Sequence, residues 1–289
     1  MLKNQTIQHQ ESSFLGAGKV RLYYQSWHPS EKSRALLVLI HGLGSHSDIF
    51  SNLVQKLVTL DYAVYGLDLR GHGRSSGQRG YINSWDEFRE DLQIFLELIR
   101  TTNNNVPIFL VGHSLGGLIV VDYILDRPEN ISGAIALAPA LGKVGVSAFK
   151  LKLAKIVDRI CPRFFLRTGI DPAQYTRDKT LVEKYKQDPL IHHVATARLT
   201  AECFRVQKKI LKQKNSLKIP LLVLHGGGDV ITYPGATRKF IKKANLQYFQ
   251  FKEYPGVAHD IQNDPDRELV FKDICDWLTK QNCQVECLQ

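Results

Sequence analysis

The feature that most constrains this chain is a repeated alternation of short apolar runs with amphipathic stretches. Residues 35–40 read ALLVLI, a fully apolar run stopped by His41-Gly42. A run of that length between turn signals fits a strand buried on both faces of a parallel sheet. Residues 49–60 (IFSNLVQKLVTL) then carry apolar side chains at helical spacing. AVYGLDL (63–69) is the next strand and ends in the glycine-rich RGHGRSSGQRG. Ser84, with Glu87 three residues on, predicts a capping box. It opens a helix whose apolar stripe is Trp85, Phe88, Leu92, Phe95, Leu96 and Ile99. IFLVG (108–112) is a strand, 115–125 a helix and 134–139 a strand. Later, PLLVLHGGGD (220–229), ATRKFIKKA (236–244), QYFQFKEYPG (247–256) and a helix over 267–281 resume the pattern. KVRLYYQSW (19–27) reads as an opening strand. Such alternation predicts an α/β fold, a mostly parallel central sheet with helices on both faces.

The stretch 141–215 breaks the rhythm. It is rich in Lys, Arg and helix formers and holds no convincing strand run. The expected organisation is a core in two parts, 1–140 and 216–289, with 141–215 as an inserted helical cap. In open α/β sheets, ligands bind beyond the carboxyl ends of the strands. An insertion leaving from that edge sits over the site.

Composition removes several classes. With 44% hydrophobic and 23% charged residues, the 289-residue chain is neither disordered nor low-complexity. The longest apolar run falls far short of the roughly 20 residues that span a bilayer. The first ten residues, MLKNQTIQHQ, lack the apolar region of a signal peptide, and a cytoplasmic location is expected. Five cysteines (Cys161, Cys203, Cys275, Cys283, Cys287) form no C-x-x-C pair, which argues against a disulfide framework or a zinc site. The formal net charge of +10 raises nucleic acid as a partner. No recognition motif supports it, and none is expected.

Two segments match G-x-S-x-G: Gly112-His113-Ser114-Leu115-Gly116 and Gly73-Arg74-Ser75-Ser76-Gly77. Context separates them. Ser114 directly follows an apolar strand and precedes a helix, the strand–turn–helix elbow that lifts a nucleophilic hydroxyl above a sheet edge. Ser75 lies in a loop that continues through Gln78-Arg79-Gly80. A serine nucleophile needs a base, and the base needs an orienting acid. The chain order in this architecture is Ser, acid, His. Asp229 ends one late strand and His259 follows the next, so they are the candidate acid and base. Asp260 and Asp264 are the rival acids; Asp260 adjoins His259, where neighbouring side chains diverge. An oxyanion hole needs two backbone N–H groups. Leu115, after the nucleophile, and Leu43, in the His41-Gly42-Leu43-Gly44 turn, are the expected donors.

HGLGSH, DLRGHGRSSGQRGYINSW, GHSLGG, the Asp229 turn and YPGVAH together resemble the α/β-hydrolase superfamily, and more narrowly its monoacylglycerol lipase and lysophospholipase group. YKQDPLI (185–191) is similar to a stretch of that group's cap. The resemblance runs from about Gly16 to Leu278. It implies hydrolysis of the ester of a single long acyl chain through an acyl-enzyme, with no cofactor and no metal. It also implies that Tyr185 approaches the polar head of the substrate. The chain departs from the animal monoglyceride lipases at Ser45, where they carry an acidic residue, and at Gln262, where they carry a second His. Those departures leave the head group open between monoacylglycerol and lysophospholipid. A short-chain carboxylesterase, a thioesterase or an aminopeptidase is the alternative on the same scaffold. A binding protein without turnover is the remote one, since no triad member is missing.

Residues 148–166 place Phe149, Leu153, Ile156, Val157 and Ile160 on one helical face and Lys152, Lys155 and Arg159 on another. Two readings stand: a cap helix packed on its own core, or a lid that meets an anionic membrane peripherally. Charge counting gives the cap 17 basic and 6 acidic residues, and the remainder 21 and 22. The whole excess sits in the insertion.

Overall fold

The computed structural model describes residues 7–103, 105–142, 154, 156–212, 217–243 and 248–286. Among them an eight-stranded sheet has the order β1-β2-β4-β3-β5-β6-β9-β10. Its strands are β1 (Gln8–Leu15), β2 (Arg21–His28), β3 (Ala35–Ile40), β4 (Tyr62–Leu67), β5 (Ile108–His113), β6 (Gly133–Leu137), β9 (Leu221–Gly226) and β10 (Phe249–Tyr254). β1 and β2 pair antiparallel, β2 pairs antiparallel with β4, and every other neighbour is parallel. Helices α1 (Ser51–Val58), α2 (Asp86–Thr102), α3 (Leu115–Asp126), α6 (Pro234–Lys243) and α7 (Arg267–Glu286) connect or follow these strands. Between β6 and β9 lie β7 (Phe165–Arg167), β8 (Val194–Thr196), α4 (Lys179–Gln187) and α5 (Ala197–Lys212).

The period-two rule shows how the core is divided. On β3, Leu36, Val38 and Ile40 join the cluster under α2 and α3. Their neighbours Leu37 and Leu39 join the opposite cluster with Phe109, Val111, Trp277 and Leu278. All six residues of β3 are buried. That is why the strand reads as unbroken apolar sequence rather than as alternation. At roughly 1.5–3 kcal/mol per buried aliphatic side chain, the two faces together hold the sheet edge rigid.

Four expectations change. β1 was not foreseen, because QHQESSFL is exposed along nearly its whole length and carries no apolar signal. The capping box does not form. α2 starts at Asp86, two residues after Ser84, and has no side-chain cap. The Glu87 carboxylate instead accepts from the Asn83 N–H at 2.8 Å and pairs with Arg70 at 2.9 Å. The cap holds two short strands, paired antiparallel, that its composition did not announce. The 49–60 helix is split into a 3-10 turn over Ser47–Phe50 and α1.

The DLRGHGRSSG loop is scaffold. Arg70 is buried and reaches Asp91 through Nε at 2.6 Å and Nη2 at 2.7 Å. It thereby ties the end of β4 to α2. Asp68 accepts from the N–H groups of Ser47 at 2.7 Å and Arg74 at 2.8 Å. Ser75 is buried; its Oγ accepts from Tyr23 N–H at 2.8 Å and donates to the Asp68 carbonyl at 2.5 Å. The second G-x-S-x-G match therefore closes a turn.

Candidate active site

The candidate residues gather at the carboxyl edge of the parallel strands. Ser114 follows β5 directly, with φ 55° and ψ −114°. That is a strained conformation for a residue with a Cβ, and its surroundings enforce it. Its N–H donates to the Leu137 carbonyl at 2.9 Å, and its own carbonyl accepts from Leu118 at 3.1 Å and Ala140 at 3.0 Å. Glycine is required nearby because backbone presses on backbone. A Cβ on Gly116 would stand 2.1 Å from the Ile40 carbonyl oxygen, and one on Gly112 would stand 2.3 Å from that of Gly116. α3 begins at Leu115, so the N–H groups of its first turn lack intrahelical partners just beyond Ser114.

Asp229 lies after β9, buried, and accepts hydrogen bonds on both oxygens. Oδ1 takes the N–H groups of Ile231 at 2.7 Å and Thr232 at 2.9 Å. Oδ2 takes Thr232 Oγ1 at 2.8 Å and His259 Nδ1 at 2.7 Å. His225 Nε2 stands 3.1 Å from the same oxygen. Burial alone would raise this carboxyl, but His259 and His225 outweigh it and hold Asp229 well below the usual carboxylate range. It stays ionised at neutral pH. His259 is buried, and its Nε2, across the ring from Asp229, has no hydrogen-bond partner among the described residues. His113 supports His259 from behind, with Nε2 donating to the His259 carbonyl at 3.2 Å. Burial pushes His113 down to about 3, so it stays neutral.

The turn after β3 fixes the direction of the Leu43 N–H, the candidate oxyanion donor. His41 is fully buried. Its Nε2 accepts from the Leu69 N–H at 2.9 Å, which leaves the proton on Nδ1. Nδ1 donates to the Gly42 carbonyl at 2.7 Å. A trans peptide points its C=O and N–H in opposite directions. Fixing the Gly42 carbonyl therefore turns the Leu43 N–H away from His41. Burial keeps His41 neutral, at about 4. The cap rests on the same turn. His192 N–H donates to the Gly44 carbonyl at 2.8 Å, and a Cβ on Gly44 would stand 2.0 Å from the His192 oxygen.

Two chambers meet at Ser114, and Leu43 and Tyr175 also border both. The larger, about 150 Å³, is lined by Leu115, Leu166, Ile170, Leu199, Phe204 and Ile231, among others. The smaller, about 40 Å³, is bordered by Gly42, Ser45, Tyr185, His192, His193 and Asp260. Tyr185 lines the smaller chamber, and its hydroxyl is spent on Asp260 Oδ2. Ser45 borders the same chamber. Gln262 does not; its amide is buried, with neither atom partnered among the described residues.

The contacts that support these residues were not foreseen. Thr232 and His225 brace Asp229, and Thr237 Oγ1 lies 3.0 Å from His225 Nδ1. His46 Nε2 bonds the cap residue Asp188 at 2.9 Å, and Arg177 of the cap bonds Asp264 at 2.9 Å. Asp264, a rival acid, is thus a cap anchor. The spacing His225-x-x-x-Asp229 was visible, but nothing in sequence brings a cap residue to a core one.

Residues 31–266 match the family described as serine aminopeptidase, S33. The chain belongs to this family of α/β-hydrolases. This S33-family chain is 31% identical over 270 residues to the monoacylglycerol lipase of Mycolicibacterium smegmatis, covering 93% of this chain and 96% of that one. It is 28% identical over 287 residues to the human monoglyceride lipase, covering 96% and 93%. Among solved structures, the Paleococcus ferrophilus monoacylglycerol lipase superposes with a TM-score of 0.82 at 34% identity, covering 90% of this chain and 99% of that one. A soluble variant of the Saccharomyces cerevisiae monoglyceride lipase, bound to a substrate analogue, gives 0.85 at 26% identity, with 97% of each chain covered. The S33-family chain is a carboxylic ester hydrolase.

Proposed function

We propose that the chain hydrolyses carboxylic esters of a single long acyl chain, a monoacylglycerol or lysophospholipid, by a Ser114–His259–Asp229 triad. The observation that carries this reading is the pair of chambers at Ser114, one broad and apolar, one smaller, with hydroxyl, imidazole and carboxylate groups set into a mostly apolar wall. An amphiphilic ester laid across Ser114 buries its chain in the first and its head in the second. Relatives named monoacylglycerol lipase over nearly their full length support the same substrate class.

Ser114 Oγ attacks the ester carbonyl while His259 Nε2 takes its proton. Asp229 holds the imidazole by Nδ1 and stabilises the imidazolium. The oxyanion accepts from the N–H groups of Leu43 and Leu115. Collapse breaks the bond to the alcohol, which leaves with the proton from His259. Water, activated by the same imidazole, then attacks the acyl-enzyme, and the fatty acid leaves.

The test is a chain-length series of p-nitrophenyl esters with the wild type and Ser114→Ala. The expected result is preference for C8–C16 esters, with turnover and fluorophosphonate labelling lost in the variant. Preference for acetate would move the chain to the short-chain esterases and overturn the long-chain reading.

We also propose that the cap makes the peripheral contact with anionic membranes. Ile156, Ile160, Phe164 and Phe165 are exposed on it, Ile160 at 82% of its full surface, beside Arg159, Arg163 and Arg167. Phe149, Lys152, Leu153 and Lys155 of the expected cap helix lie outside the described residues. No described helix is long and apolar enough to cross a membrane. Binding to anionic vesicles should weaken with added salt. Salt-independent or absent binding would refute the contact.

A further inference from the structure

The proposed base does not sit on a regular element. β10 ends at Tyr254 and α7 begins at Arg267, so His259 lies within the loop 255–266. The core holds part of that loop. His113 Nε2 donates to the His259 carbonyl at 3.2 Å, and the Val257 carbonyl accepts from the Gly228 N–H at 2.9 Å. A second hold comes from residues 175–177 of the insertion. The Asp260 N–H donates to the Tyr175 carbonyl at 2.6 Å. Thr176 Oγ1 donates to the Asn263 carbonyl at 3.4 Å. Arg177 forks onto Asp264, Nε to Oδ2 at 2.9 Å and Nη2 to Oδ1 at 2.5 Å, and Nη2 also reaches Asp266 Oδ2 at 2.5 Å. Successive residues of the insertion thus grip the loop that carries the base.

The grip reaches the backbone on either side of His259. After it, Asp260 is tied to Tyr175 by its N–H. Before it stands Ala258, whose N–H serves Asp264. Burial alone would raise that carboxyl, but Arg177 and the N–H groups of Asp266 and Ala258 outweigh burial and hold it below the usual carboxylate range. Asp264 is therefore ionised, with its side chain 0% exposed, and shared between Arg177 and the backbone beside the base. Removing Arg177 strips a buried carboxylate of its countercharge, and the loop must shift to let water reach it. Tyr175 adds a direct contact, its ring centroid 5.7 Å from that of His259 at 62°. His113 of the core makes the other ring contact at 4.8 Å. Tolerance in this loop is small. His259 must keep Nδ1 on Asp229, 2.7 Å away, and present Nε2 to the Ser114 hydroxyl. A misplacement of about 1 Å costs a reacting group on the order of 10²-fold in rate. Arg177 itself borders neither chamber. It can reach turnover only through the loop, and a change there leaves the walls that sort substrates in place.

We propose that Arg177 is a positioning residue for the reaction: by clamping Asp264 it fixes the loop that carries His259, so the insertion holds the base in place as well as covering the substrate. This rests on the triad reading above and adds a demand which that reading does not contain. Lifting residues 175–177 off the core disables the base, whatever the ester.

The experiment measures hydrolysis of p-nitrophenyl acetate and p-nitrophenyl laurate, and the rate of fluorophosphonate labelling, in the wild type, Arg177→Ala, Arg177→Lys and Arg198→Ala. Arg177→Ala should lower kcat by at least about 10-fold on both esters, with KM within about 3-fold, the laurate-to-acetate ratio unchanged and labelling slowed in proportion. The far-downfield proton resonance of the His259–Asp229 hydrogen bond should broaden or vanish in that variant. Arg177→Lys keeps the charge but not the fork and should fall between Arg177→Ala and the wild type. Arg198 ties the insertion to the core elsewhere, donating to the Asn83 carbonyl at 2.8 Å. Arg198→Ala should keep kcat on acetate within about 3-fold of the wild type. A wild-type kcat on acetate in Arg177→Ala, or a loss confined to KM or to laurate, would overturn the proposal. So would an equal loss in Arg198→Ala, because any loosening of the insertion would then suffice. Should Arg177→Ala fail to fold, Arg177→Lys decides: a kcat on acetate at least about 3-fold below the wild type supports the clamp, and a wild-type kcat overturns it. Turnover or labelling that survives Ser114→Ala would instead sink the triad reading, a separate outcome.

Discussion

Asp229→Asn is the sharpest probe of the proposed triad because the local hydrogen bonds dictate what an amide does there. Oδ1 of Asp229 accepts two backbone N–H groups, from Ile231 and Thr232. An asparagine keeps those bonds only by placing its carbonyl oxygen at that site. Its NH2 then occupies the Oδ2 position, 2.7 Å from His259 Nδ1. Two donors cannot face each other, so His259 shifts its proton to Nε2. The nitrogen meant to accept from Ser114 becomes a donor. The base is removed while its ring barely moves. A wrong tautomer of this kind costs about 10⁴ in kcat in serine hydrolases, close to 5.5 kcal/mol of barrier. The assay is steady-state hydrolysis of p-nitrophenyl laurate at pH 7.5, with circular dichroism confirming the fold. A variant within tenfold of the wild type would refute the argument, because Asp229 would then not set the tautomer of a catalytic histidine.

Ser114→Gly should abolish turnover yet stabilise the protein by about 1–2 kcal/mol, since glycine adopts φ 55° without strain; a lowered Tm would contradict the strained elbow. Ser75→Ala should keep most activity but lose about 1–3 kcal/mol of stability, as two buried backbone groups lose their shared partner; a folded but inactive variant would reverse the assignment of the two serines. Ile170→Trp fills part of the apolar chamber and should cut kcat/KM for C12–C16 esters tenfold relative to C4; an unchanged chain-length profile would place the acyl chain elsewhere. Burial raises Asp260 to about 6, so the folded state holds a proton that the unfolded state has released between about pH 4 and pH 6. Stability from this group therefore falls as pH rises through that window, by at most about 3 kcal/mol. Asp260→Asn should flatten that part of the urea-midpoint profile, and identical profiles would show that the carboxyl titrates normally.

The candidate site was legible because each of its parts is written locally. Ser114 follows a strand and opens a helix within five residues, and backbone crowding around Gly112 and Gly116 forces glycine there. Asp229 follows β9, an apolar run, and His259 follows β10, whose apolar and polar residues alternate. β1 left no such trace, since an edge strand exposed on both faces has no apolar period to read. Ser84 and Glu87 matched a capping pattern, but the pairing of Arg70 with Glu87 and Asp91 fixes the helix start further along. A tertiary ion pair overrode a local signal.

The substrate chambers were illegible for a different reason. Every decisive contact there joins residues far apart in the chain: Tyr185 to Asp260, Asp188 to His46, Arg177 to Asp264, Tyr175 to Asp260. In each, one partner belongs to the cap and the other to the core. Asp260 shows what this does to inference. From sequence it was a rival for the role of Asp229, and the argument against it was only that adjacent side chains diverge. That argument was sound, but it says where a side chain does not go. Its destination depends on a tyrosine 75 residues upstream, carried on a helix whose own position depends on the other three contacts. On the proposed reading, the chemistry is encoded in strand ends and the selectivity in the fit between the 141–215 insertion and the core. Changes in the insertion outside residues 175–177 can retune the substrate without touching the triad, which is how one scaffold serves lipases and peptidases alike.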